Sequence, residues 1–348
     1  MFRPYLHTRL VRLTEFAKSI LSFTFLLFCL GYAGNVYSDN DVDLPTNDTS
    51  FIQINALEPP IKVLIVDGFN NHNWQLSTRL IREILLSAGN IDVDVTTTPS
   101  SKAAKGWKTW RPQFSDYDVV LQNSSDIKAT DGIRWPREVQ LALEKFVSAG
   151  GGLLAFHSAN NAFSDWPEYN NMLGLAWRSA DYGSAVVVHE SKSGKEGTEI
   201  KQWLEYISEG RGGRTGHGKR RDVLVTRFGD HAMHKDLPKH WRAADLEVYR
   251  YVRGPAKNLT VLSYARDLTT NLFFPTEWTV AYGKGRVYTS TFGHVWHKNT
   301  VPDAMRCSAA QTLLQRAVIW LANNEKRLRN ITKPVDFPDI DKVSLRGM

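Results

Sequence analysis

Cysteine is nearly absent from this 348-residue chain: Cys29 and Cys307 are the only two. Cys29 lies in an N-terminal apolar run, so loss of that run leaves one thiol and no intrachain disulfide. A disulfide-stapled fold and a CxxC zinc ribbon or redox pair are therefore excluded. Cys307, followed by a helical pattern, reads as a packed or capping thiol. Compact cofactor signatures are missing as well. There is no HExxH, and no GxGxxG or GxxxxGK[ST] follows a strand-like run. Gly68-Phe69-Asn70 is not a phosphate-cradling loop, which argues against a nucleotide or flavin site. Internal repeats and low-complexity tracts are also lacking.

The composition that remains, 42% hydrophobic and 23% charged, is that of an ordinary folded chain. Its length suits one large α/β domain behind an exported leader. Arg3, Arg9, Arg12 and Lys18 precede the apolar run Ile20–Ala33, which is too short for a comfortable membrane span. Val36-Tyr37-Ser38 places small residues where a signal peptidase reads them. Residues 1–38 are thus expected to be a signal peptide, with a retained anchor as the alternative, and residues 39–60 a flexible lead-in. This predicts a secreted or periplasmic protein without stable membrane insertion after cleavage. The net charge is +7. Part of the basic excess sits in the leader, and much of the rest in Lys219-Arg220-Arg221 and the C-terminal tail. That pattern reads as solvated surface, not as a nucleic-acid patch, although it would also suit an anionic substrate. The oligomeric state is not legible.

Lys62–Asp67, Ile91–Val95, Tyr117–Leu121 and Leu153–Phe156 are short apolar or alternating runs, expected as strands. Helical spacing fills Trp74–Ala88 and Pro136–Ala149, the latter with proline in its first turn and three glycines behind it. Such alternation predicts a mostly parallel sheet with helices on both faces. Further strands are expected at Val223–Thr226, Thr260–Tyr264, Trp278–Tyr282 and Arg286–Thr291, and a closing helix at about Ala309–Asn323. The main domain spans 61–325. Within it 178–222 is polar and basic and reads as an elaborated loop or small inserted subdomain beside the sheet, with a short helix near Glu199–Ile207. Residues 326–348 read as a C-terminal tail.

Ligands of open α/β sheets bind beyond the carboxyl ends of the strands. His72, His157 and His294 each follow a predicted strand, so remote positions converge on one rim. His217 lies between glycines in Gly216-His217-Gly218, on a loop able to fold over the crevice. Clustered neutral imidazoles can hold a divalent metal, zinc first of all, or act as acid and base. His157, His294, His72 and His217 are the candidate catalytic residues, and His72, His157 and His294 the candidate metal ligands. Indoles pack on pyranose faces and amides pair with hydroxyls. Trp74, Trp166 and Trp278 with Asn71, Asn123, Asn160 and Asn161 are therefore candidate substrate-binding residues for a small-molecule carbohydrate. Phe163 and Trp296 also flank the rim. Asp67, Asp165, Glu247 and Glu277 are carboxylates near it; Asp67 is placed to orient a histidine or cap a helix, and Glu277 is expected at the opposite edge.

Several stretches together resemble the ThuA-like, trehalose-utilisation family: Val66–Trp74, Gly150–Phe163, Trp166–Tyr169, Gly216–Gly218, His231 through Glu247–Tyr249, and Trp278 to His294. The resemblance implies a flavodoxin-like, class I glutamine-amidotransferase-like fold. It also implies a setting in disaccharide catabolism beside enzymes that make 3-keto sugars. The amidotransferase cysteine is missing: the comparable strand ends in Phe156-His157-Ser158, and the GxSxG elbow is not formed. Glutaminase chemistry is not expected. Two departures stand out, His231-Ala232 in place of the family's usual His-Pro and an unusually basic stretch before Gly216. The resulting expectation is hydrolysis or elimination on a disaccharide or 3-keto-glycoside, with a non-catalytic sugar-binding protein as the alternative.

Overall fold

The computed structural model describes residues 58–348, except Thr130 and 194–198. The expected signal peptide and most of the lead-in lie outside the described residues. Along the main sheet the strands run β2-β1-β3-β4-β14-β13-β12-β8-β9. They are β1 Ile61–Asp67, β2 Ile91–Thr97, β3 Val119–Gln122, β4 Gly152–Phe156, β8 Arg221–Arg227, β9 His240–Leu246, β12 Leu259–Arg266, β13 Phe273–Tyr282 and β14 Gly285–Ser290. The first five in this spatial order pair parallel. From β14 onward the pairing is antiparallel. Strands β1–β4 and β14 therefore aim their carboxyl ends at one rim, and the alternation beyond β14 points β12 and β9 the same way.

The parallel strands are nearly continuous apolar runs because both faces are covered. All five residues of β4 are buried. Helix α1 (Trp74–Ser87) buries Leu80, Ile81, Ile84 and Leu85 against the sheet. Its first turn is capped by the Asn73 side chain, which accepts from the Leu76 N–H. Helix α2 (Arg137–Ser148) buries Val139, Leu143 and Val147, and α3 (Pro167–Leu173) has proline in its first turn. Short α4 (Asp303–Arg306) leads into α5 (Ser308–Leu321), which is buried on most sides. Cys307 between them is fully buried and its Sγ accepts from the Ala244 N–H, the packed thiol expected of it.

Two segments differ from the sequence reading. Glu199–Ile207 is not a helix but strand β6, paired antiparallel along its length with β5 (Ser184–Ser193). Exposure alternates from Gln202 to Glu205, the period of a strand. This hairpin joins the sheet at Phe273–Val188, and Val186, Val187 and Val188 enter the core. The 178–222 segment is thus largely sheet, not loop. The C-terminal stretch also packs: α6 (Glu325–Asn330) buries Leu328, Phe337 is buried, and Leu345 bridges Cys307. Among the described residues no helix is long and apolar enough to cross a membrane.

Candidate active site

Three of the rim-forming strands each deliver one imidazole. His72 lies in the turn between β1 and α1, His157 follows the last residue of β4, and His294 stands just beyond β14. Their backbones are held in unusual shapes. His157 has φ 42°, a left-handed conformation rare for a side-chain-bearing residue, at the strand-to-helix elbow. Gly293 has φ 92°, and a Cβ there would lie 2.2 Å from the Phe156 ring, so only glycine fits before His294. The three rings meet edge to face, with centroids 4.9–5.3 Å apart. One nitrogen from each lies within 4.8 Å of the other two.

Hydrogen bonds set which nitrogen faces the shared space. His157 Nδ1 meets the Thr291 carbonyl at 2.9 Å, so it carries the proton and leaves a lone pair on Nε2. His72 Nδ1 stands 3.2 Å from Asn71 Oδ1, with the same consequence. His294 differs, because its Nδ1 meets the Arg220 guanidinium and its Nε2 lies 3.4 Å from Glu247. All three rings favour the neutral form. Burial, followed by the neighbouring His157, pulls His72 down to about 2. Burial, followed by His72, pulls His294 to about 3, and buried His157 is held well below its ordinary range. Neutral, crowded imidazoles are ligands that zinc takes; His72 and His157 turn an unprotonated Nε2 to the shared space, whereas His294 would have to give up its Arg220 contact or its Nε2 proton.

The sequence reading left two close neighbours of these rings out of the site. Glu247, in the link between β9 and β10 (Tyr249–Arg250), lies 3.7 Å from His157 Nε2, 3.4 Å from His294 Nε2 and 3.7 Å from His217 Nε2. Burial raises its pKa. The Tyr249 hydroxyl is 3.3 Å from His157 Nε2. Both arrive because β10 pairs with the two-residue strand β7, with Tyr249 opposite His217 and Arg250 opposite Gly216. Glu247 had been noted as a rim carboxylate, but no spacing motif ties it to the histidines. Arg220, read as solvated charge, ion-pairs with Asp245 and reaches His294.

The proposed sugar contacts divide sharply. Asn71 orients His72, and Asn161, buried with an unpartnered Oδ1, lines a groove beside the cluster. Trp74 stands half-buried at the start of α1, whereas Trp296 is the indole that packs on His72 and His294. The other four are corrections. Trp278 is fully buried with Nε1 donating to the Leu173 carbonyl, and Trp166 is buried with Nε1 donating to Glu144. Asn123 donates to the Ser77 and Thr78 hydroxyls of α1, and Asn160 to the Leu175 carbonyl. The polar atoms of Trp166, Trp278 and Asn123 are already used, and Asn160 is fully buried with only its Oδ1 left unpartnered, so these four residues build the fold. Asp67 accepts from Thr78 and so pins α1 to the sheet. The Ser158 hydroxyl is bound to the Asn70 side chain.

Fold and site together define an α/β protein of class I glutamine-amidotransferase-like architecture, with imidazoles replacing the elbow cysteine at the strand rim. The chain belongs to the ThuA, or trehalose utilisation, family, whose profile matches residues 62–321. It is similar to a ThuA-like protein of Parabacteroides merdae ATCC 43184 of known crystal structure. The two are 31% identical with a TM-score of 0.70, over 82% of this chain and 98% of that one. Comparison with curated proteins finds no match.

Proposed function

We propose that this protein is an exported, metal-dependent enzyme that cleaves a disaccharide or 3-keto-glycoside by hydrolysis or elimination. The observation that carries the reading is the convergence of His72, His157 and His294, with one nitrogen of each inside a 4.8 Å span. The donor set fits a divalent ion, zinc first, because all three rings are neutral and two have their second nitrogen fixed by a hydrogen bond. When bound, such an ion supplies a Lewis acid for a carbonyl or glycosidic oxygen. The chain's own residues do the rest. Glu247, between His157, His217 and His294, is placed to take a proton from water or from the acidified C–H beside a keto group. Tyr249 supplies a hydroxyl on the same side. His217, more exposed than the other three, closes the crevice from the β7–β10 ladder. The family's setting in trehalose utilisation supports a carbohydrate substrate.

The test is metal analysis of the purified protein, followed by incubation with 3-keto disaccharides with and without chelator. A stoichiometric divalent ion and chelator-sensitive turnover are expected. Absence of both across a broad panel removes the reading. Joint replacement of His157 and His294 by alanine separates an enzyme, which loses turnover, from a sugar-binding protein, which keeps its affinity.

A further inference from the structure

Beside the imidazole cluster runs a groove of about 1080 Å³ lined by Trp177, Tyr182, Asn161, His217, Arg214 and Arg250 among others. It shares His217 with the cluster, and Trp177 packs edge-on against Tyr249 with centroids 5.0 Å apart. Its walls are cationic. Arg134, Arg178, Arg214 and Arg250 line it, against only Asp126 and Asp165, and Arg134 engages both of those carboxylates. Arg178 is buried and spends its donors on Asn170 and on the backbone carbonyls of Asn161, Ala162 and Trp177, with no carboxylate in its bonds. Arg214 is exposed and belongs to the glycine-rich stretch 210–216. The buried Nη1 of Arg250 is ion-paired with Asp267 at 3.5 Å but makes no hydrogen bond. Asn161 offers the matching orphan, a buried Oδ1 acceptor without a partner. Orphaned buried polar atoms are costly unless a ligand satisfies them.

We propose that this groove receives the anionic half of the substrate: a sugar bearing a carboxylate, phosphate or sulfate, its charge met by Arg214 and Arg250, its ring on Trp177 and a hydroxyl on Asn161. The ladder explains the coupling to chemistry. Arg250 is the next residue after Tyr249, and Gly216 precedes His217, so groove and cluster are built on the same short pair of strands, and His217 lines both. Gly216 permits this, since a Cβ there would press within 3.3 Å of the Arg250 guanidinium. Charge-assisted hydrogen bonds to arginine are about twice as strong as neutral ones and give discrimination between charged and neutral sugars.

The inference rests on the carbohydrate reading of the neighbouring site, and the experiment separates the two. Binding of three matched disaccharides (neutral, uronate-bearing and 6-phosphorylated) is measured by calorimetry on the full chain at low salt and in 1 M NaCl. At least one anionic sugar should bind about tenfold or more tightly than the neutral one, and the carboxylate and phosphate arms show which anion fits. The preference should vanish in 1 M NaCl, where charges are screened beyond about 3 Å. It should fall several-fold in Arg214→Ala, whose exposed side chain leaves the fold intact, and disappear when Arg250→Gln is added. In the His157→Ala/His294→Ala variant it should persist although turnover is lost. Equal affinities for neutral and charged sugars, or a preference indifferent to the arginine substitutions, overturn the anionic subsite while leaving the cleavage reading standing. No binding of any disaccharide overturns both.

Discussion

Glu247 and Glu277 are both buried and both face histidine, yet one follows the end of β9 and the other sits within β13, and they have opposite surroundings. Glu277, in the antiparallel half, accepts from Ser263 at 2.5 Å and from Tyr288 at 2.6 Å, and lies 3.4 Å from His234. Burial opposes its ionisation, but His234 and these hydroxyls outweigh burial and lower its pKa. Glu247, carried to the histidine rim by the link after β9, faces imidazole nitrogens at 3.4–3.7 Å, and burial raises its pKa. One carboxylate is satisfied by hydroxyls and closed in; the other faces a cluster of imidazoles. A buried His–Glu pair is therefore no site by itself. What distinguishes Glu247 is that it meets three imidazoles, those of His157, His217 and His294, where a groove opens.

The largest effect should come from breaking the closed pair. Glu277→Ala leaves His234 and two hydroxyls without their acceptor and should cost about 3–5 kcal/mol of stability, read by denaturant melting. Glu247→Gln should cost less than about 1 kcal/mol yet abolish turnover; equal losses in the two variants erase the contrast. Next, His157→Ala should weaken zinc binding by about a hundredfold or more in calorimetric titration, with no comparable loss of metal-free stability.

Acid should act on the antiparallel half through His231, which burial, followed by the nearby His234, lowers from 6.5 to about 4. The unfolded chain then binds the proton more readily than the folded one. The stabilisation is complete above pH 6.5 and declines as pH falls toward 4, by about 1.4 kcal/mol per unit. His231→Asn should flatten that slope in pH-dependent melting. The smallest effect is Asn71→Ala, which frees His72 to turn and should cost about tenfold in zinc affinity without changing stability. A variant that binds zinc normally would show that Asn71 does not orient the ring.

Much of the architecture was legible because buried strands and amphipathic helices write their periods into the chain. Lys62–Asp67, Leu153–Phe156, Trp74–Ala88 and Pro136–Ala149 all appear within a residue or two of their reading. Glu199–Ile207 failed because a short alternation of charged and aromatic residues satisfies a helical and a strand pattern alike. Trp166 and Trp278 failed because an indole reads the same in a core as on a sugar. Asn123 and Asn160 failed because an amide near a strand end serves a helix as readily as a ligand.

By itself the sequence determined that His72, His157 and His294 share a rim, since each follows a strand of one parallel winding and that winding fixes which ends meet. Tertiary structure alone decided that Glu247, Tyr249 and Arg250 complete the neighbourhood. They reach it through an antiparallel extension folding back onto the β7 turn. Such long-range pairing leaves no period in the chain, because it depends on which surfaces remain uncovered once the strands have packed.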